Sequence, residues 1–180
     1  MRVVAVREPW RVRRATLDDL DGLFELVDAV VAEDKWLGAQ APLDRATTYE
    51  RWRTDLDDPH AVRFVVDDDR ELVGEANAHA RGGRADLGMA VARGHRGRGV
   101  GSALLGAVID WARTQDAHKV TLQVWPHNQQ GRLLYERFGF VEEGRLRRHY
   151  RRQSGELWDA IVMGLVLDDT SPGSRFVHDE

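Results

Sequence analysis

The sequence predicts an α/β (α+β) fold in a single domain, and three observations support this prediction. The hydrophobic pattern changes between the period of a strand and that of a helix in the order β-α-α-β-β-β-α-β-α-β-β. Glycine, proline and aspartate mark turns between these segments. No internal repeat or interdomain linker interrupts the 180 residues, of which 42% are hydrophobic. A chain of this length can bury a full core without disulfides.

The predicted elements fill residues 11–167, which form the predicted domain. The first helix has its N-cap at Thr16 and ends near Asp34. Residues 1–10 are predicted to be an N-terminal extension and residues 168–180 a disordered tail, since the tail is rich in serine, proline, glycine and acids. The predicted strands cover residues 11–15, 61–66, 71–80, 86–92, 119–125, 140–150 and 156–167, and the later helices cover 44–56, 100–114 and 128–138.

The composition argues against several classes of function. The chain has no cysteine, so it has no disulfide, zinc-thiolate site or cysteine nucleophile. Its histidines lack metal-ligand spacing, so no metal is expected. A net charge of −4 argues against a general nucleic-acid binder. No apolar stretch approaches the ~20 residues of a membrane span and no signal peptide is visible, so we expect a cytoplasmic protein without a membrane partner.

A segment rich in glycine and arginine, residues 93–101, joins the fourth predicted strand to the third predicted helix. Free backbone N–H groups and the positive end of a helix dipole meet at such a junction and favour an anion such as a pyrophosphate. Glycines at positions 97, 99 and 101 let the backbone approach phosphates closely, and Arg96 and Arg98 can add charge. The segment therefore predicts a phosphate-binding loop.

Three known phosphate-binding loops can be compared with this segment. A P-loop ends in Gly-Lys-Ser/Thr, and the segment has no lysine. The dinucleotide pattern G-x-G-x-x-G fails because its last position, counted from Gly97, is Ser102. The acyl-CoA loop of the GNAT superfamily is Arg/Gln-x-x-Gly-x-Gly/Ala. The segment resembles that loop at every fixed position, with the sequence Arg96-Gly97-Arg98-Gly99-Val100-Gly101.

A second motif on the last predicted helix resembles the other GNAT signature, Asn-x-x-Ala/Gly-x-x-Leu-Tyr-x-x-x-Gly-Phe. It reads Asn128-Gln129-Gln130-Gly131-Arg132-Leu133-Leu134-Tyr135-Glu136-Arg137-Phe138-Gly139-Phe140. The two signatures stand in the family's order, and the resemblance covers about residues 11–167. It implies the GNAT fold, which is a mixed central sheet of about six or seven strands flanked by about four helices.

The last predicted hairpin resembles one branch of this superfamily. Its pattern is Glu143-Gly144-x-x-Arg147-x-x-Tyr150, followed by Gly155-Glu156-x-Trp158-Asp159-Ala160-x-x-Met163. The branch contains ribosomal-protein N-terminal, small amino-acid and phosphinothricin-type acetyltransferases. Because their acceptors differ, the pattern does not identify the acceptor. The resemblance implies that the loop around Trp36 lies in the acceptor region and leaves Trp158 either there or in the core.

The resemblance implies that acetyl-CoA is a co-substrate whose acetyl group passes to a primary amine by direct attack in a ternary complex. The strand before the loop is expected to splay from its neighbour, helped by Pro126, which cannot donate a ladder bond. Its free N–H groups would polarise the thioester carbonyl, with Met89 and Val91 as donors. Tyr135 would donate a proton or a hydrogen bond to the departing sulfur. The implied acetyl-CoA-binding residues are Met89, Ala90, Val91, Arg96, Gly97, Arg98, Gly99, Val100, Gly101, Ser102, Asn128 and Tyr135.

The spacing of the second motif suits an extended pantetheine arm. Asn128 and Tyr135 are about two helical turns apart, or ~10 Å along the axis. We expect Asn128 to hold one end of the arm while its sulfur lies near Tyr135. Gly131 lies between them and would leave room for the arm.

The general base is less clearly indicated, because family members use a glutamate on a central strand or a water chain. Glu75, Asn77 and His79 alternate on one face of the third predicted strand. Glu75 is the first candidate for a catalytic base and His79 the second, while Asp86 and Glu33 stay open. The strand before the phosphate loop carries no glutamate, which departs from one common family pattern.

Two other functions remain as alternatives to an amine N-acetyltransferase. One is an acyl-CoA sensor without catalysis on the same fold. The other is an ordinary nucleotide-binding protein, against which the missing lysine and the failed dinucleotide pattern argue. A homodimer is common in the family, although no feature of the sequence identifies an interface.

Overall fold

A computed structural model of the chain describes residues 10–167, so the predicted extension other than Trp10 and the predicted tail lie outside the described residues. The strands are β1 (Val12–Arg14), β2 (Ala61–Asp68), β3 (Glu71–Arg81), β4 (Arg84–Val91), β5 (Lys119–Val124), β6 (Val141–Arg151) and β7 (Leu157–Val166). The helices are α1 (Leu20–Ala32), α2 (Arg45–Asp57), α3 (Val100–Thr114) and α4 (Gln129–Arg137). Two 3₁₀ turns occupy Leu17–Asp19 and Arg93–His95.

The predicted order of strands and helices is confirmed, and the main difference lies at the start of the first helix. The chain first makes a 3₁₀ turn after Thr16, and α1 begins only at Leu20. Thr16 and Asp19 form a capping box around this turn. The Arg13 guanidinium binds the Asp19 carboxylate with two hydrogen bonds of 2.8 Å, which ties the turn to β1. The sequence pattern identified Thr16 as the N-cap. It did not show that Asp19 pairs with Arg13 of β1 or that a 3₁₀ turn precedes α1.

The predicted mixed sheet is also confirmed. Its spatial order is β1-β2-β3-β4-β5-β7-β6, and β4 and β5 are the parallel pair among the described strands. Because parallel neighbours need a crossover, α3 connects them. Their pairing runs from Arg84↔Lys119 to Asp86↔Thr121 and then stops. The remainder of β4 therefore has an unpaired edge toward β5.

One face of the sheet is covered by α3, the longest described helix, with 15 residues. Its inward side chains, which include Val100, Leu104 and Val108, are completely buried. Gly74 on β3 lies directly beneath them, since a Cβ there would be 2.5 Å from a methyl carbon of Val100. This close approach fixes the start of α3, and with it the loop that precedes the helix. Among residues 10–167, no helix is long and apolar enough to cross a membrane.

The other face is covered by α1 and α2. Their core contains Leu23, Phe24 and Trp52, which pack with Val65. The same layer buries a charged pair, in which Arg63 Nη1 lies 2.5 Å from Glu75 Oε2. The Arg63 guanidinium also lies over the Trp52 ring, 5.0 Å from its centroid. These partners offset the cost of burying two charges.

Replacing Gly74 with alanine is expected to destabilise the protein. The added Cβ would collide with Val100, which cannot move unless the first turn of α3 shifts. Overpacking of this kind costs about 1–3 kcal/mol of unfolding free energy. Urea unfolding of the wild type and Gly74→Ala measures the difference.

Gly106→Ala is the matched control within α3, because a Cβ there would meet no atom within 4 Å. This change is expected to raise the unfolding free energy by about 0.5–1 kcal/mol, since alanine is a better helix former than glycine. Unchanged stability of Gly74→Ala would contradict the close approach of α3 and β3.

Candidate active site

A cleft of about 900 Å³ opens where β4 and β5 separate. Beyond Thr121, β5 leaves β4 and follows β7, with which it pairs as far as Val124↔Ile161. The separation begins before Pro126, which follows the end of β5, so the expected contribution of Pro126 to maintaining the splay stays a prediction. The last bridge between the two strands is reinforced by the Thr121 hydroxyl, which contacts the Asp86 carboxylate.

The edge of β4 turns alternate backbone amides into this cleft. The N–H of Ala92, just beyond β4, donates to the carbonyl of Val73 at 2.9 Å and therefore faces β3. Successive amides of a strand point to opposite edges, so the N–H groups of Met89 and Val91 face away from β3. Both residues line the cleft. This is the geometry expected of the two predicted donors. The amide of Ala90, by contrast, faces β3, and Ala90 pairs there with Glu75.

The predicted phosphate loop lies at one end of the cleft and leads into α3. Gly97 and Gly99 have φ angles of 68° and 92°, a left-handed conformation that favours glycine. Gly101 has a steric role instead, because a Cβ there would lie 3.1 Å from Leu134 on α4. These three glycines and Ser102 line the cleft.

Two residues predicted to bind acetyl-CoA do not line this cleft. Val100 is completely buried against β3, so its side chain belongs to the core. Arg98 donates to the carbonyl of Gly94 at 3.3 Å, and its guanidinium lies 5.7 Å from the Trp10 ring centroid. Both residues still shape the loop through their backbones.

Trp10 supports the loop from behind and was missed because the sequence placed it in an extension. Its indole N–H donates to the carbonyl of Arg98 at 2.7 Å. Its ring lies 3.7 Å from the position that a Cβ of Gly99 would take. The signal available in the sequence was a large aromatic residue directly before the first strand.

Arg96 lines the cleft, but its side chain is engaged within the protein. Two hydrogen bonds of 2.9 and 2.5 Å join its guanidinium to Glu33, at the end of α1. Its Nε donates to the carbonyl of Val91 at 2.9 Å. Hydrogen bonding from Arg96 lowers the pKa of Glu33, against the opposing effect of burial. Glu33 is therefore an ionised partner of Arg96, which makes it a weak candidate for a base.

Tyr135 brings a neutral hydroxyl to the cleft. The residue is only 9% exposed, and its ring packs against Phe140 at a centroid distance of 5.8 Å. Among residues 10–167 its hydroxyl has no hydrogen-bond partner, and burial raises its pKa to about 12. At neutral pH the side chain is therefore a phenol whose proton is free to be donated into the cleft.

Asn128 and Gly131 are coupled more tightly than the spacing suggested. Asn128 is the N-cap of α4, and its Oδ1 accepts the N–H of Gly131 at 3.0 Å. A Cβ at Gly131 would lie 2.8 Å from Asn128 Nδ2. Gly131 is thus required by the cap itself, in addition to lining the cleft with Asn128. The Nδ2 donors of Asn128 have no partner among the described residues.

The four candidate bases all lie outside the cleft lining, which within the described residues contains no carboxylate or imidazole. Glu75 is 4% exposed and pairs with Arg63. His79 binds the Asp55 carboxylate at 2.9 Å. Asp86 accepts hydrogen bonds from Arg84 and Thr121, which lower its pKa although burial acts in the opposite direction.

No group of three or more histidines or acids among the described residues could hold a metal ion. Asn77 lies between Glu75 and the cleft, since its side chain is beside Gly88 of the cleft lining and 3.4 Å from Glu75.

The other end of the cleft has aromatic walls made by Trp36, Trp125 and Tyr150. Trp36 belongs to the loop between α1 and α2, which residues from other elements hold in place. The Lys35 carbonyl lies 2.8 Å from His127 Nε2. This end is the region in which the resemblance placed the acceptor.

Arg152 on the β6–β7 turn is the main anchor of that loop. Its side chain is 1% exposed and pairs with Asp34. It also donates to the carbonyls of Leu37 and Gly38 at 3.4 and 3.2 Å. The guanidinium lies 4.6 Å from the ring centroid of Trp158, which stands behind the cleft wall. The sequence offered no signal that separates Arg152 from the exposed arginines of the same hairpin.

Burial of neutral Tyr135 predicts a loss of stability in alkali. Because its pKa is raised, its contribution is complete below pH ~10, the pKa of an unfolded tyrosine, and is lost as the pH rises toward 12. Over that range we expect the unfolding free energy of the wild type to fall by roughly 2 kcal/mol more than that of Tyr135→Phe. Urea unfolding at pH 9, 10 and 11 gives the early part of the divergence. Parallel pH dependences would contradict the buried neutral phenol.

Comparison with known proteins relates this chain to one family. A candidate ribosomal protein bS18-alanine N-acetyltransferase of Bacillus subtilis (strain 168) is 24% identical over 159 residues, which cover 88% of this chain and 96% of that protein. A spermidine N(1)-acetyltransferase of Vibrio cholerae is 34% identical over 104 residues, 54% of this chain and 59% of that protein. The crystal structure of a phosphinothricin acetyltransferase from Sinorhizobium meliloti, in complex with acetyl-CoA, has the same fold, with a TM-score of 0.79 at 19% identity over 88% of this chain and 89% of that chain.

The named relatives include ribosomal-protein and phosphinothricin acetyltransferases, as the resemblance of the last hairpin predicted. The profile of the family described as the acetyltransferase (GNAT) family matches residues 28–140. The match spans more than half of the sequence, and the chain belongs to the acetyltransferase (GNAT) family.

Proposed function

We propose that this protein is an N-acetyltransferase that moves the acetyl group of acetyl-CoA to a primary amine by direct attack in a ternary complex. The observation that carries the proposal is the meeting of two kinds of unused donor in one cleft. These are the amides of β4 that face away from β3 and the hydroxyl of Tyr135. They are the donors needed to polarise a thioester and to stabilise its leaving sulfur.

The residues along the cleft fit the parts of acetyl-CoA. The glycine loop and the N-terminus of α3 can bind the pyrophosphate, with Gly97, Gly99, Gly101 and Ser102 lining that end. The free edge of β4 and the unpartnered Asn128 amide can bind the amide groups of the pantetheine arm. When bound, acetyl-CoA supplies the activated acyl group. The solved structure of the Sinorhizobium meliloti relative, which is a complex with acetyl-CoA, supports the same use of the fold here.

Each proposed catalytic group has a separate task. The N–H groups of Met89 and Val91 donate to the carbonyl oxygen and stabilise negative charge as it develops there. Tyr135 stabilises the departing sulfur. Because a thiol has a pKa of ~8.5 and that of Tyr135 is about 12, the proton stays mainly on the phenol. Tyr135 therefore acts as a strong hydrogen-bond donor more than as a source of a fully transferred proton.

The absence of a carboxylate or imidazole from the described cleft lining favours an amine that loses its proton easily. An α-amine has a pKa of only ~7.7–8.0, whereas a lysine side chain has ~10.4. We therefore propose an α-amine of an amino acid or a protein N-terminus as the acceptor. Glu75 remains a proposal for the base and would receive the proton through water near Asn77.

Two finer assignments belong to the same proposal. A cytoplasmic location suits a cysteine-free enzyme that consumes acetyl-CoA. A homodimer is proposed from the family resemblance, and sedimentation at several protein concentrations tests it.

Replacing Tyr135 with phenylalanine should lower kcat by about 10²-fold, because one hydroxyl that acts on the leaving group is lost. The KM for acetyl-CoA should change little, since the ring remains. The assay follows release of free CoA across a panel of amino acids, polyamines, an aminoglycoside, phosphinothricin and peptides with free N-termini.

Tyr49→Phe is the control, because Tyr49 is a tyrosine of α2 whose hydroxyl contacts Asp21 on the outer surface. Its turnover should match that of the wild type. Acetyl-CoA binding without turnover of any amine would favour the non-catalytic sensor. Equal turnover by Tyr135→Phe would contradict the role of the hydroxyl.

Acetylation should also discriminate between α-amines and lysine side chains. At pH 7 the neutral fraction of an α-amine exceeds that of a lysine amine by about 300-fold. Two peptides of one sequence test this, one with a free N-terminus and an acetylated lysine, the other with the blocking reversed. We expect kcat/KM to favour the free N-terminus by at least about 10²-fold and to rise with pH up to about 8. Comparable rates with both peptides would require a strong base in the cleft.

A further inference from the structure

The Arg96 side chain connects parts of the cleft that the sequence treated as separate. It starts from the glycine loop and reaches the carbonyl of Val91, at the end of β4, at 2.9 Å. Its two remaining nitrogens bind both oxygens of Glu33, at the end of α1. One guanidinium therefore joins the loop, the strand and the helix.

The same network includes the aromatic wall at the other end of the cleft. Glu33 Oε2 accepts the indole N–H of Trp36 at 2.7 Å. The Arg96 guanidinium lies over the Trp36 ring, 5.2 Å from its centroid, a contact that adds cation–π attraction. Trp36 lines the proposed acceptor end. A displacement of Arg96 would thus also move Trp36, which lines the end of the cleft where the amine is proposed to bind.

We propose that Arg96 is a positioning residue whose ion pair with Glu33 organises the acetyl-CoA site and the acceptor wall together. This inference rests on the proposed function. The guanidinium holds the carbonyl of Val91, the residue whose own N–H is one of the two proposed donors to the thioester carbonyl. It also holds Trp36 through Glu33. Binding of acetyl-CoA against the loop therefore stabilises the acceptor wall, and an amine that binds to the wall stabilises the loop in return.

The alternative is that Arg96 contributes its charge directly to the phosphates, as the sequence suggested. The two roles predict opposite effects of removing Glu33. If Arg96 binds phosphate directly, loss of the competing Glu33 carboxylate would free its guanidinium for the phosphates, so CoA would bind more tightly. A positioning residue would lose its anchor, so CoA would bind less tightly.

Calorimetric titration with CoA itself distinguishes these roles. We compare wild type, Glu33→Gln, Arg96→Gln and the double variant. Each single change should raise the Kd for CoA by roughly three- to tenfold. The Kd of the double variant should not exceed the higher of the two single-variant values, because both substitutions remove the same Arg96–Glu33 interaction. Arg96→Lys keeps the charge but loses the planar fork, so it should bind as weakly as Arg96→Gln.

Kinetics provide a readout that loss of structure alone would not give. Glu33→Gln should raise KM for both acetyl-CoA and the amine by roughly three- to tenfold, with kcat within about twofold of wild type, because neither Tyr135 nor the bond from Arg96 Nε to the Val91 carbonyl involves Glu33. A fall in kcat with an altered pH profile would instead identify Glu33 as the base and overturn the proposal. Thermal unfolding of each variant confirms that the fold is retained.

The matched control is another arginine–glutamate pair, formed by Arg45 of α2 and Glu25 of α1, whose side chains are exposed to solvent. Glu25→Gln and Arg45→Gln should leave the Kd for CoA unchanged. Tighter or unchanged CoA binding by Glu33→Gln, additive effects in the double variant, or rescue by Arg96→Lys would each overturn the positioning role. Wild type that fails to bind CoA at all would refute the proposed function instead.

Discussion

The incomplete pairing of β4 with β5 is the constraint on which the rest of the site depends. After Asp86↔Thr121, β5 continues along β7 and leaves one edge of β4 without a partner. Backbone N–H groups are costly to bury without a partner, so this edge must meet water or a ligand. A ligand in the cleft can accept hydrogen bonds from these N–H groups. The same cleft is lined by the glycine loop, Asn128 and Tyr135.

Much of this arrangement could be predicted from the sequence, because it rests on local patterns. Helical and strand periodicity gave the element order, and the glycines at 97 and 99 adopt the positive φ angles that a tight loop before a helix requires. The two motifs placed the loop and α4 at one cleft. These features depend on residues close together in the chain, for which propensity and spacing are informative.

What the sequence could not predict depends on contacts between distant residues. Arg96 and Glu33 are separated by 63 positions, and Arg152 meets the carbonyl of Leu37 across 115 positions. The loop motif singled out Arg96 but gave no sign of its partner Glu33, and no local pattern distinguishes Arg152 from the exposed arginines of its hairpin. Strand alternation predicted that Glu75 shares one face with Asn77, and the two side chains do lie together. The burial of Glu75 against Arg63, however, follows from the packing of α2 on the sheet. Whether Glu75 serves as a base or as a structural ion-pair partner therefore depends on tertiary packing.

The central claim, that the free edge of β4 binds the acetyl-bearing arm, can be measured amide by amide. Hydrogen exchange followed by NMR, with and without saturating acetyl-CoA, reports on Met89, Ala90 and Val91 in turn. The account predicts slower exchange at Met89 and Val91 and no change at Ala90, whose amide already faces β3. Saturation of the protein with acetyl-CoA while Met89 and Val91 exchange at their original rates would contradict it.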